Sequence, residues 1–273
     1  MRFLLTALVA LPFVSCAPTP PARSTAAQPA PEKPPVAESP DPPVAPAGAP
    51  YFIRQEISGI TFEGVAFDSR NHRLFVIDQP NGPASQFADA TAAANSRRGL
   101  AAVNAGFFTP EGTPLGLVVS AGKISGSWNS ASSLGSGVWC EETSGRSAIA
   151  RREKLGRVAA ASSRQLIQAG PLLVENGHPV SGLEATKTSA RIVVLWDGGT
   201  RWWIGRGSPC TLAALSLALA GNSPTGWKIR HALNLDGGRS ADLWVSGSVP
   251  GGPFLSRPPW NRPVRNFLVL VGK

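Results

Sequence analysis

The sequence predicts an α+β fold: strand-rich, mixed or antiparallel sheets with a few packed helices. Three observations lead there. Short apolar runs rich in Val, Ile, Leu and Trp recur from residue 51 onward. Gly-containing turns punctuate them, and only two segments carry helix signals without a regular βαβ alternation.

Taken in order, Met1-Arg2 is followed by FLLTALVALPFV, an apolar stretch too short to span a bilayer as a permanent helix. It reads as a signal peptide. Phe13-Val14-Ser15-Cys16 places small and β-branched residues before a cysteine, the arrangement a lipoprotein signal peptidase reads. Residues 1–16 are therefore expected to be a lipoprotein signal ending at an acylated Cys16. Plain secretion with cleavage after Ala17 is the alternative. Residues 17–50 are almost wholly Pro, Ala, Ser, Thr and Glu, expected to be a disordered, semi-rigid tether. Acyl chains on Cys16 would hold the protein to a membrane, facing the periplasm or cell exterior.

Residues 51–273 suit one large domain or two tightly joined halves, with enough apolar content to bury a sizeable core. GVAFDSRNHRLFVID places two apolar runs around Ser69-Arg70-Asn71-His72 and reads as a hairpin. The runs around Ala121-Gly122 and Asn176-Gly177 read as hairpins too. Residues 86–97 are alanine-rich helix material. Ser208-Pro209 offers a cap and first-turn proline to TLAALSLALAG.

A net charge of +9 invites a nucleic-acid reading, but the basic residues are scattered and not interleaved with aromatics, so no nucleic-acid partner is expected. Excess arginine suits anionic substrates, because a guanidinium grips phosphate with two parallel bonds. His72, His178 and His231 lack metal-ligand spacing, and no CxxC pair or GxSxG elbow occurs. No metal or cofactor is expected, with an oxygen-only calcium loop left open. If Cys16 carries lipid, Cys140 and Cys210 remain as a possible disulfide pair.

Four segments carry the chemistry. In Asn234-Leu235-Asp236-Gly237-Gly238-Arg239-Ser240, an aspartate ends an apolar strand before two residues without Cβ, which allows close approach by an anion; a plain Asp-Gly hairpin turn is the bland reading. Asn104 ends another run before Gly106, Phe107 and Phe108, a pocket wall with one oriented amide. Gly170-Pro171 precedes a strand, and Arg191 leads into IVVLW. With PLGLVVSAGK at 114–123 and RPVRNFLVLVG at 262–272, these segments resemble, in order, the phosphodiester glycosidase family. One departure is Arg239, where the family commonly has a third glycine.

The resemblance implies hydrolysis of a sugar 1-phosphodiester at the anomeric carbon. For that reaction the residue types suggest Asp236 as the carboxylate facing that carbon, as base toward water or as nucleophile, Arg191 with Arg239 and the amides near Gly237 on the phosphate, and Asn104 on a sugar hydroxyl or N-acetyl group. Gly106, Phe107, Phe108, Gly170, Pro171, Asn234, Gly237, Gly238 and Ser240 would line the site, with Glu63 and Asp242 as reserve carboxylates. The expected substrate is an envelope or extracellular glycan or sugar phosphodiester. A non-catalytic lipoprotein binding polysaccharide or peptidoglycan is the alternative.

Overall fold

The computed structural model describes residues 48–273; the signal sequence, Cys16 and the tether to residue 47 lie outside the described residues. Three antiparallel sheets make the body. The first has seven strands in the spatial order Tyr51–Ile57, Ile60–Asp68, Arg201–Cys210, Ser189–Trp196, His231–Leu235, Leu172–Glu175 and His178–Pro179. The second runs Phe254–Ser256, Leu243–Val245, Ala101–Asn104, Asn266–Gly272, His72–Asp78. The third runs Lys123–Ser125, Val118–Ser120, Gln165–Ala169, Gly137–Glu141, Ser147–Arg151.

One core is shared by all three sheets: Val65, Val194 and Leu233 meet Val76 and Leu268 from the second and Trp139 and Ile167 from the third. Each outer face is covered separately. Leu215 and Leu219 of helix Leu212–Gly221 cover Val193, Leu195 and Trp203. Ala90, Ala93 and Ala94 of helix Ala90–Asn95 cover Phe75, Ala102 and Val269. Ala160 of helix Arg157–Ala161 covers Val119, Val138 and Leu166. Burial on both faces explains why the strands read as continuous apolar runs rather than alternating ones. Among the described residues, no helix is long and apolar enough to cross a membrane.

The hairpins at Ala121-Gly122 and Asn176-Gly177 form as expected, both turn residues taking positive φ (50° and 81°; 53° and 83°), the combination that matches strand twist. The expected hairpin across residues 69–72 does not form. Ile60–Asp68 pairs in the first sheet and His72–Asp78 in the second, so the turn is a crossing between layers. Nothing local separates the two cases, since both runs are buried on both sides. The helix expected over 86–97 is shorter, Ala90–Asn95 capped by Asp89, because the amides of Gln86 and Phe87 bond to Gln79 Oε1 instead (2.9 and 2.7 Å). The later helix is capped by Thr211, whose hydroxyl accepts from the Ala214 amide; Ser208-Pro209 ends the preceding strand. Cys140 and Cys210 are both free thiols, buried in separate clusters.

Candidate active site

His231–Leu235 is the fifth strand of the first sheet, and at its carboxyl end the chain leaves that sheet. Asp236 and Gly237 lead into a single 3-10 turn, Gly238–Ser240, after which Leu243–Val245 pairs in the second sheet. The bland Asp-Gly hairpin is thereby excluded: the two strands belong to different layers. The turn is pressed against the first sheet, where a Cβ on Gly237 would lie 2.3 Å from the Ala190 carbonyl oxygen. Gly238 takes φ of +60°, which a residue with a side chain rarely adopts.

Asn104 staples this crossing. Its Nδ2 donates to the Asp236 carbonyl (2.7 Å) and its Oδ1 accepts from the Asp242 amide (2.9 Å), so one amide fixes both ends of the turn. The Asp236 amide in turn donates to the Ala105 carbonyl (2.9 Å). Asn104 has no exposed surface. It therefore positions Asp236 from behind, and the expected contact with a sugar does not fit its place.

The Asp236 side chain is 8 % exposed. Burial pushes it above the ordinary aspartate range, opposed by a hydrogen bond from Ser240 and by the Arg262 guanidinium. Arg262 Nη2 stands 3.5 Å from Asp236 Oδ2 while Arg262 Nε donates to Ser240 Oγ (2.9 Å). Beneath it lies the Phe108 ring, 4.8 Å from the guanidinium carbon. Asp236 is closed in, whereas the Arg262 side chain is 43 % exposed, so the cation forms the mouth and the carboxylate the floor.

Arg262 was not singled out from the sequence as a site residue. Its signal was present in RPVRNFLVLVG, an arginine leading into a strand as Arg191 does. The geometry separates the two. Arg191 spends Nε on the Cys210 carbonyl (3.0 Å) and Nη2 on the Lys187 carbonyl (2.9 Å), bracing the start of its strand.

The other expected residues sort by place. Gly106 donates its amide to Asn266 Oδ1 (2.6 Å), joining the 104–108 segment to the strand that follows Arg262. Phe107 packs on the shared core. Asn234 is locked to Gly170 and Pro171, its Nδ2 on the Gly170 carbonyl (2.9 Å) and its amide on the Pro171 carbonyl (3.1 Å), beneath the site. Arg239 is exposed, with Nε 3.4 Å from the Trp260 carbonyl and its own carbonyl accepting from the Arg262 amide (3.0 Å).

Both reserve carboxylates are occupied elsewhere. Asp242 accepts from the Ala90 amide at the start of its helix (2.8 Å) and from Arg257 Nε (3.0 Å). Glu63 lies between Arg54 (3.3 Å) and Arg206 (3.4 Å), three strands from Asp236 in sheet order. The segment bearing Arg262 is anchored by Arg265, bidentate to Asp78 (2.8 and 3.0 Å) and bonded to the Gly112 carbonyl (3.1 Å).

A depression of about 510 Å³ lined by Arg151, Lys154, Glu175 and His178 opens near the other end of His231–Leu235. Its two cations are already neutralised by Glu175 (2.6 and 3.1 Å), and no raised carboxylate faces it. The Asp236 crossing is the better site on chemistry: a buried carboxylate with a half-exposed guanidinium beside it. Among the described residues, no group of three His, Cys, Asp or Glu side chains is gathered closely enough to hold a metal ion.

Comparisons with known proteins concern the domain as a whole. The catalytic domain of zebrafish N-acetylglucosamine-1-phosphodiester alpha-N-acetylglucosaminidase, auto-inhibited by its pro-peptide, is similar in fold (TM-score 0.57, 19 % identity, 85 % of each chain). So are a hypothetical protein from Synechocystis (TM-score 0.53, 18 % identity, 82 % of this chain and 61 % of that one) and a Burkholderia pseudomallei protein described as exported (TM-score 0.53, 13 % identity, 78 % and 74 %). A search of curated proteins returns no match. The family model for phosphodiester glycosidase matches residues 98–271, a span that holds Asn104, Asp236, Ser240 and Arg262. The chain belongs to the phosphodiester glycosidase family, hydrolases that act on sugar phosphodiesters.

Proposed function

We propose that Asp236, Ser240 and Arg262 are the working groups of this hydrolase. The observation that supports this most directly is the pairing of one buried carboxylate, raised by desolvation, with an arginine that reaches solvent. In the proposed reaction the anomeric C–O bond breaks and its electron pair stays on the phosphate oxygen. A phosphate monoester leaves readily, so the second carboxylate that ordinary glycosidases use to protonate an alkoxide is not required. Arg262, with Arg239 nearby, holds the phosphate and stabilises charge as it grows on the leaving oxygen. Asp236 takes the proton of the water that attacks the anomeric carbon, a task its raised pKa suits. Ser240 keeps the carboxylate and the guanidinium in register, and Arg191 belongs to the frame.

The sugar we propose is N-acetylglucosamine, by analogy with the zebrafish enzyme's name. We also propose that the chain is exported and held to a membrane through Cys16, on an envelope or extracellular substrate, which rests on the sequence alone. The test uses the full chain in detergent with N-acetylglucosamine 1-(methyl phosphate), following sugar release. Asp236→Asn and Arg262→Met should each lower kcat/KM by about 10²-fold or more. Full activity in both variants would remove the assignment. A Cys16→Ala chain that still sediments with membranes would remove the anchor.

A further inference from the structure

We infer that Trp260 and Arg239 form the recognition rim for the group esterified to the phosphate on the side away from the sugar. This deepens the reading above and rests on it. Trp260 is 66 % exposed, one of the few large apolar side chains on the surface, and unlike Val158 or Leu217 it lies two residues from Arg262.

Its loop is built to stay there. Pro258 and Pro259 limit the backbone, and the Asn261 amide closes a turn onto the Pro258 carbonyl (2.9 Å). Asn261 Nδ2 donates to the Ala241 carbonyl (3.3 Å), and the Arg262 amide to the Arg239 carbonyl (3.0 Å), so the loop is tied to both sides of Ser240. Arg239 adds its Nε contact to the Trp260 carbonyl and leaves its terminal nitrogens without a bond among the described residues. An exposed indole on the loop whose backbone meets Arg239 and leads into Arg262 offers a flat apolar face on the same rim as the two cations. That combination fits a phosphate ester whose far substituent carries a ring, and it discriminates poorly among small alkyl esters.

The experiment compares N-acetylglucosamine 1-(methyl phosphate) with N-acetylglucosamine 1-(benzyl phosphate), which differ by one ring. Binding is measured by calorimetry on the full chain in detergent, in an Asp236→Asn background so that turnover is slowed. Trp260→Ala should weaken the benzyl ester about five- to tenfold and the methyl ester less than twofold, with Trp260→Phe recovering part of the loss. Equal losses for both esters, no loss, or no binding of either overturns the inference. Turnover by the wild-type chain is read separately. Ring-dependent binding without turnover would leave the rim standing and remove the proposed reaction, whereas turnover with Trp260 indifferent would do the reverse.

Discussion

Replacing Gly237 with alanine perturbs the site through the backbone alone. The added Cβ would lie 2.3 Å from the Ala190 carbonyl oxygen, where real Cβ contacts do not fall under 3.0 Å, so something must yield by at least about 0.7 Å. The Ser189–Trp196 strand is poorly placed to give way: it is paired on one side to Arg201–Cys210 and on the other to His231–Leu235. The turn carrying Asp236 therefore moves. Overpacking of this kind costs about 1–3 kcal/mol. At about 2 kcal/mol, a domain of this size loses roughly 4–8 °C in Tm. The effect on rate is larger in proportion, since a displacement near 1 Å at a reacting group costs about 10²-fold. Calorimetric Tm and sugar release are read together, with Gly221→Ala as control; a Cβ there meets nothing within 4 Å and lies in a helix, so Tm should hold or rise. A Gly237→Ala protein with wild-type Tm and wild-type kcat would refute the tight seating of this turn.

Three further outcomes are expected. Asp236→Asn should be at least as stable as wild type at pH 7, because the folded pKa of Asp236 lies above its unfolded value and the ionised form is disfavoured in the fold. As pH falls through that raised folded pKa toward the ordinary aspartate value, wild type should gain on the variant, checked by urea midpoints from pH 8 to 4. Gln168→Leu strips four hydrogen bonds, from the Leu117 and Asn129 amides and to the Asn129 and Gly135 carbonyls, and should cost about 4 kcal/mol in denaturant unfolding. Asn104→Leu, which loses both bonds to the crossing while keeping the volume, should lower kcat with little change in KM, read by steady-state kinetics.

The sequence exposed the site's floor and hid its mouth. LNLDGG stands out in the sequence as an apolar strand ending in Asp-Gly-Gly, and only the crossing between two sheets excludes the plain hairpin turn. Arg191 and Arg262 were indistinguishable on local grounds, both arginines leading into strands. What separates them is the partner each meets, backbone carbonyls for one and a carboxylate 26 residues earlier for the other. The same limit governed the 69–72 turn: strand propensity was clear, but whether two neighbouring strands pair or part to different sheets depends on distant partners, Arg201–Cys210 and Asn266–Gly272. Asn104 reads from the sequence as an oriented amide facing a ligand, whereas in the structure its two side-chain bonds serve the chain itself.

The Asn104 staple also bears on how this protein would come apart. It joins an interior strand of the second sheet to the end of an interior strand of the first, so the crossing cannot open without loosening both layers. Amide exchange near Asp236 should then report whole-domain opening rather than local fraying. A protease acting on native protein would find its first cuts elsewhere, and activity would persist until the domain as a whole gives way.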